Sequence, residues 1–500
     1  MLKRNITANY ISQLYVTGVG ILILPLYIKY MGAEAYGLVG FFAMLQAWFA
    51  MLDLGLTPTI ARETARYHGG SMTALIYRQL LRALTLIFIG IALIGGGILL
   101  YMADSIAAKW LTVELLSLAE VKLAVQIMAI SVALRWLCGL YRGVITGSEK
   151  LVLLSSFNVV IATFRFIAVF ASMWHFGFTA KVFFIHQLAV AVIELLGLFI
   201  AARGLIPKQN MLENAIGWSF KPVKPVLKFA LTIAFTSSVW VLVTQTDKLI
   251  LSGILPLTEY GYFTLAVLVA SGIMVISGPV SIAIMPRMAR LHAEGKHEQL
   301  IKVYRTATQL VSVIAGSAAI VIAFYAEQLI FSWTGEQMLA EESGPILRLY
   351  VIGNSFLAIS AFPYYLQYAI GNLRYHLIGN AFMVVLLIPA IIFAAINYGA
   401  IGAGYVWALI NGLYLVVWVG YVHYKLEPGL HSKWLIQDGL IIYGSVILLL
   451  SFLSLWPIQA SDRLLTILQI FAVSALALIT AVISADSFRK KLILKIKSVF

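Results

Sequence analysis

Apolar runs of about twenty residues recur from one end of this 500-residue chain to the other. A run of that length crosses the roughly 30 Å hydrocarbon core of a bilayer as one α-helix. Lipid offers no partner for unpaired backbone N–H and C=O groups, so spanning runs of this kind become helices packed into bundles. The feature fixes the class: an all-α polytopic membrane protein. Composition agrees, since 61% of the residues are hydrophobic and only 11% are charged, against about 25% charged in a soluble domain.

Fourteen spans are expected, at about 8–29, 36–60, 80–102, 122–146, 151–173, 181–203, 228–253, 259–285, 305–326, 345–370, 376–396, 400–423, 434–456 and 463–484. No small-residue cleavage site follows the first run, which reads as a retained helix and not a signal peptide. With the N-terminus placed in the cytoplasm, the inside segments hold 25 of the 35 basic residues and the outside loops hold six. That is the positive-inside bias, with both termini cytoplasmic. The net charge of +14 is then mostly a topology signal. It points to membrane lipids as a partner, not to nucleic acid. The outside loops near 103–121 and 327–344 are short and amphipathic, as in "SIAAKWLTVELL" (Ser105–Leu116), and are expected to lie on the membrane surface. Neither side has room for a soluble catalytic domain. The single cysteine, Cys138, rules out an internal disulfide framework. No Cys/His cluster has metal-ligand spacing and no Walker A pattern occurs. Neither a metal nor another cofactor is expected.

The chain repeats itself weakly. A shift of 224 residues lays Tyr36–Gly37 on Tyr260–Gly261, Ala65–Arg66 on Ala289–Arg290, His68 on His292 and Gly147 on Gly371. These pairs fall at the same loops and span ends. A tandem duplication of six spans gives two six-helix bundles in one orientation, related by a pseudo-twofold axis along the membrane normal and enclosing a central cavity. The expected divisions are an N-terminal bundle at 1–204, a cytoplasmic linker at 205–227, a second bundle at 228–424, and two extra helices with a basic cytoplasmic tail at 425–500.

Charges inside spans are costly and mark function or internal pairing. Arg135 and Arg142 are seven residues apart in "LRWLCGLYRGVITG" (Leu134–Gly147) and share one helix face. Arg135 lies about 18 Å from the helix end, too deep to reach the interface. Arg142 is within about two turns of it, so snorkelling stays open as a reading. Arg165 sits mid-span in the next helix, on a face with Asn158 and Ser172. Two consecutive spans thus present three guanidiniums to one space. Asp53, Glu194 and Asp247, the last beside Lys248, are the in-span acids. They read either as charge balance, with Asp53 or Glu194 paired to an arginine, or as ion-coupling groups. The 224-residue shift replaces Arg135, Arg142, Arg165 and Asp53 by Ile359, Leu366, Pro389 and Ser277, so the charges belong to one half of the duplication. In the other half, "LYVIGNSFLAISAFPYYLQYAIGN" (Leu349–Asn372) carries Asn354, Tyr364, Tyr365 and Gln367, suited to sugar hydroxyls or to an interfacial aromatic belt.

The segment "LPLYIKYMGAEAYGLVGFFAMLQAWFAMLDLGLTPTIARETAR" (Leu24–Arg66), echoed by "QTDKLILSGILPLTEYGYFTLA" (Gln245–Ala266), resembles the Wzx-type polysaccharide flippases. These belong to the multidrug/oligosaccharidyl-lipid/polysaccharide superfamily. The resemblance implies a flippase, not an enzyme. Such a protein carries an undecaprenyl-diphosphate-linked oligosaccharide, an O-antigen or related repeat unit, across the bacterial inner membrane to the periplasmic leaflet. It works by alternating access coupled to an H+ or Na+ gradient, with a polysaccharide polymerase and a chain-length regulator as partners. Span 1 lacks the arginines of lipid II flippases, which favours an O-unit over lipid II. On this view Arg135, Arg142, Arg165 and Lys248 hold the diphosphate, since guanidinium matches phosphate geometry. Asp53, Glu194 or Asp247 couples the ion, and Asn354, Tyr364, Tyr365 and Gln367 meet the glycan. The competing readings are a drug antiporter of the same superfamily and a membrane polysaccharide polymerase or ligase.

Overall fold

A computed structural model describes residues 2–208, 217–456 and 462–489. Part of the expected linker (209–216) and nearly all of the basic tail (490–500) lie outside the described residues. Among the described residues, twelve helical stretches are long and apolar enough to cross a membrane. Extended pairing there is limited to one isolated bridge between Thr112 and Pro256. The chain is an all-α, multi-pass membrane protein. It divides into two compact units, residues 1–261 and 262–500.

The first unit begins with α1 (Leu2–Leu22), α2 (Leu24–Met31) and α3 (Ala33–Ala50). The expected single span 36–60 is interrupted. After a short 3-10 turn, Leu54 (φ 47°) and Gly55 (φ 68°) take left-handed backbone, and α4 (Leu56–His68) starts afresh. Next come α5 (Ala74–Ser105), α6 (Leu118–Gly147), α7 (Leu151–Ala162), α8 (Val169–Phe176), α9 (Ala180–Arg203) and α10 (Val223–Ser252). Three of these start on hydroxyl caps, with Thr73, Ser117 and Thr179 accepting from the N–H of Ile76, Glu120 and Val182. Each cap satisfies one N–H that the first turn leaves unpaired.

Helix α6 is the centre of this unit, packed on α9, α5, α4 and α3. Its glycines Gly139, Gly143 and Gly147 lie four apart and let the backbone of α4 come close. A Cβ at Gly143 would sit 2.9 Å from the Thr57 carbonyl oxygen, and one at Gly147 would collide with the Ala61 carbonyl. Small residues at this spacing are how membrane helices gain packing where lipid supplies no hydrophobic drive. The glycine face docks α6 against α4.

The loop after α5 does not continue as an amphipathic helix over residues 111–117. A π turn (Ile106–Trp110) ends it. The buried Glu34 carboxylate then accepts the backbone N–H of Glu114, Leu115 and Leu116 at 2.6, 2.8 and 2.8 Å. The Thr112 carbonyl accepts the Leu257 N–H at 3.0 Å. Backbone groups needing partners outweigh the amphipathic pattern here. Nearby, two glycines 224 residues apart meet. A Cβ on Gly261 would lie 2.8 Å from the Ala33 carbonyl oxygen and 3.2 Å from the Gly37 nitrogen, while one on Gly37 would strike the Leu257 carbonyl. Ala33 and Leu257 are themselves 224 residues apart, so the contact is reciprocal.

Helix α11 (Leu257–Ala293) leads into the second unit. That unit continues with α12 (His297–Val311), a π turn, α13 (Ser317–Phe324), α14 (Ala326–Thr334), α15 (Gln337–Ser360), α16 (Phe362–Ile370) and α17 (Arg374–Leu413). A straight 40-residue helix would run about 60 Å, twice the hydrocarbon core. Gly399 (φ 61°, ψ −147°) breaks α17, between the spans expected at 376–396 and 400–423. After a further π turn come α18 (Val419–Leu426), α19 (Leu430–Lys433), α20 (Ile441–Leu453) and α21 (Arg463–Ser484). Within this unit Arg305 of α12 grips the buried Asp438 carboxylate, Nε to Oδ2 at 2.7 Å and Nη2 to Oδ1 at 2.9 Å.

Candidate functional site

Two of the three in-span arginines of the first unit, Arg142 and Arg165, converge on Glu194. Arg142 of α6 donates from Nη1 to Asn158 Oδ1 and from Nη2 to Glu194 Oε1, both at 2.7 Å. Arg165 donates from Nη2 to Glu194 Oε2, also at 2.7 Å. One carboxylate on α9 is therefore shared between a guanidinium of α6 and one on the segment after α7. Arg142 turns inward to these partners, which answers the snorkelling alternative. Glu194 is only 4% exposed, whereas the side chains of Arg142 and Arg165 are 30% and 25% exposed. The acid sits beneath and the two cations sit above it.

What lies above is a recess of about 280 Å³. Arg142, Asn158, Arg165 and Glu194 line it on one side, and Ser12, Gln13, Val16 and Thr17 of α1 line it on another. At about 30 Å³ per water, it holds several waters or a compact anion. Arg165 has donor capacity in reserve, because among the described residues its buried Nε has no hydrogen-bond partner.

Arg135 does not line the recess. Its Nη1 donates to Gln46 Oε1 at 2.7 Å and its Nη2 to Gln187 Oε1 at 2.8 Å, and its guanidinium lies 5.0 Å from the Phe42 ring centroid, within cation–π range. It is a second layer behind Arg165, linked to it through Gln187. The sequence reading missed the parts played by Gln46, Gln187 and α1. A signal existed in α1, where Gln13 and Thr17, four residues apart, place two polar groups on one face of an apolar helix.

The other expected site residues stand elsewhere. Asp53 is not paired with an arginine in any contact of the site. Its Oδ2 accepts the Thr57 N–H at 3.2 Å and its Oδ1 the Thr57 hydroxyl at 2.6 Å, at the restart of the helix as α4. Asp247 is buried in α10, with Lys248 Nζ 3.3 Å from its Oδ1 and 2.6 Å from the Thr244 carbonyl oxygen. In the second unit, Asn354 is fully engaged, donating to the Ala270 carbonyl at 2.8 Å and accepting from Trp407 Nε1 at 3.0 Å. Gln367 accepts the His376 N–H at 2.8 Å and donates to the Pro363 carbonyl at 3.3 Å. The Tyr364 ring packs at a tilt against His376 at 4.4 Å, and the Tyr365 ring packs edge-on against Phe362 at 5.4 Å. Both amides thus serve the fold in this conformation, and the two tyrosines are half-buried.

Known proteins share this architecture. A solved lipid II flippase, MurJ in an inward closed conformation, matches with a TM-score of 0.70 at 13% identity, over 93% of this chain and 97% of that one. An inward-facing multidrug resistance MATE family transporter of the MOP superfamily matches with a TM-score of 0.67 at 14% identity, over 84% and 96%. In sequence, the Shigella flexneri protein named "Putative O-antigen transporter" is 19% identical over 383 residues, 76% of this chain and 87% of that protein. The family model described as "Polysaccharide biosynthesis protein" matches residues 2–292. That stretch exceeds half of the chain and contains every arginine of the site, so the chain belongs to the polysaccharide biosynthesis protein family.

Proposed function

We propose that this protein is a flippase that moves an undecaprenyl-diphosphate-linked oligosaccharide, an O-antigen or related repeat unit, to the periplasmic leaflet of a bacterial inner membrane. The observation that carries the reading is the recess lined by Arg142 and Arg165, which share a single carboxylate. One cation is enough to balance the charge of a carboxylate. This one has a second cation in direct contact and a third one amide away. The surplus suits a diphosphate, whose oxygens accept bidentate guanidinium bonds that strengthen where water is scarce. The family supports a role in polysaccharide assembly, and the lipid-flippase fold supports the movement of a lipid-linked cargo.

In this reading the incoming diphosphate takes over the guanidinium donors that Glu194 holds at rest. Glu194 is then the ion-coupling group. Protonation releases its claim on Arg142 and Arg165, and release of the anion restores it. A proton shifts the equilibrium because it binds the two states differently. The topology carried forward has fourteen spans and both termini cytoplasmic.

The test is a strain lacking the protein. Undecaprenyl-linked single repeat units should accumulate on the cytoplasmic face, with surface polysaccharide lost and drug sensitivity unchanged. Repeat units that reach the periplasmic face unpolymerised would point instead to a polymerase. Intact polysaccharide with altered drug sensitivity would point to an antiporter. Either result overturns the proposal.

A further inference from the structure

Arg165 does not sit on regular α-helix. Residues Thr163–Ala168 form a π turn between α7 and α8. A single wide turn puts the backbone ladder out of step with the helix on either side, and such turns gather at functional sites. Side chains from two directions hold this one. The Tyr27 hydroxyl donates to the Phe166 carbonyl at 2.9 Å, and Tyr15 meets Thr163 Oγ1 at 2.7 Å. From α9, His186 Nε2 lies 2.9 Å from the Phe164 carbonyl oxygen and Gln187 Nε2 donates to the Arg165 carbonyl at 2.9 Å. Three successive carbonyls thus each receive a side-chain donor.

Gln187 differs from the other two donors in what its second atom holds: His186 Nδ1 lies 2.8 Å from Ser172 Oγ, whereas Gln187 joins the turn to a second arginine. Its Oε1 accepts from Arg135 Nη2 at 2.8 Å, and the residue is 2% exposed. The partners fix the amide's orientation, since a guanidinium only donates and a carbonyl only accepts. Glutamate at this position would keep the Arg135 contact and set a carboxylate against a carbonyl oxygen. Methionine would satisfy neither end. We infer that Gln187 is a positioning residue for the anion site, acting through the π turn that carries Arg165 and tying it to the second-layer Arg135. The inference rests on the anion reading of the recess given above.

The experiment titrates the purified full-length protein in detergent with inorganic diphosphate by calorimetry and records thermal unfolding in parallel. Wild type, Gln187→Met, Arg165→Lys and the double variant form one cycle. Gln187→Met should weaken binding about tenfold, the scale of one lost hydrogen bond, yet weaken it less than twofold in the Arg165→Lys background. A residue of purely structural worth would give the same loss in both backgrounds, and that result overturns the inference. Tyr27→Phe removes one hydroxyl from the other side of the same turn and keeps the test open should Gln187→Met fail to fold. It should weaken binding in the same direction, again only where Arg165 is present. No binding by the wild type would overturn the anion reading and this inference together. Wild-type binding that both Gln187→Met and Tyr27→Phe leave untouched would overturn this inference alone.

Discussion

The arginine–carboxylate cluster around Glu194 in the first unit and the one around Asp438 in the second are built on different principles. In the second unit Arg305 meets Asp438 one to one through two parallel bonds, and Gln309 Nε2 adds a third donor to Asp438 Oδ1 at 2.6 Å. Asp438 has no exposed surface, and Gln437 Oε1 takes a further donor from Arg305 Nη2 at 2.8 Å. That cluster is balanced, one guanidinium to one carboxylate. In the first unit one carboxylate serves two guanidiniums, a third guanidinium waits behind an amide, and the cations border a recess. The difference separates an ion pair that joins helices from one that, under the proposed function, changes partners.

The largest expected effect tests the balanced cluster. Arg305→Met alone leaves a buried carboxylate without its cation and should destabilise the protein by about 3 kcal/mol, since breaking one side of a buried pair is costly. Adding Asp438→Leu removes the stranded charge and should recover most of that loss in thermal unfolding. A double variant as unstable as the single one would mean that the pair does more than hold helices together. Next in size are Arg142→Ala and Arg165→Ala. Each leaves Glu194 one guanidinium, so the unfolding free energy should fall by only about 1 kcal/mol. Surface polysaccharide at equal protein level should drop at least tenfold, about 1.4 kcal/mol in the driving interaction. If these variants lose stability as Arg305→Met does and keep their polysaccharide, the contrast between the clusters collapses. Arg135→Ala should follow them in direction and Arg135→Lys should restore part of the loss, because lysine keeps the charge without the fork that spans Gln46 and Gln187. The smallest effect has the opposite sign. Glu194→Gln removes the resting competitor for Arg142 and Arg165, so diphosphate should bind severalfold tighter, read by calorimetry. Weaker binding would show that Glu194 orients the arginines and does not compete with the anion.

Much of this was legible in sequence because the cost of a charge in lipid is large and one-sided. Arg135, Arg142, Arg165 and Glu194 stand out against apolar helices, and heptad spacing alone puts the first two on one face. The pairing of Glu194 with arginine follows from charge balance, but the same argument applied to Asp53 leads elsewhere. Leu54 and Gly55 break the helix there, and Asp53 turns to Thr57 of the restarted helix. Which acid pairs depends on a backbone break that no hydrophobic period encodes. The π turn under Arg165 is equally silent in sequence, since one extra residue per turn shifts a face without altering composition. Asn354 and Gln367 show the converse limit. An amide looks the same in a sequence whether it awaits a sugar or already bonds Trp407 and Ala270, or His376 and Pro363. The docking of residues 114–116 on Glu34 was hidden because amphipathicity reports side chains, whereas backbone N–H groups decide where that loop goes.

The reciprocal contact of Gly37 with Leu257 and of Gly261 with Ala33 also bears on how the chain is made. The two glycines are 224 positions apart, so a ribosome adding roughly 5–20 residues per second separates their arrival by about 11–45 s. For that interval the start of α3 has been translated, but the strip of backbone that fits against it does not yet exist. The first unit closes there only when the opening turns of α11 emerge. That closure therefore waits on residues 257–261, at the start of α11.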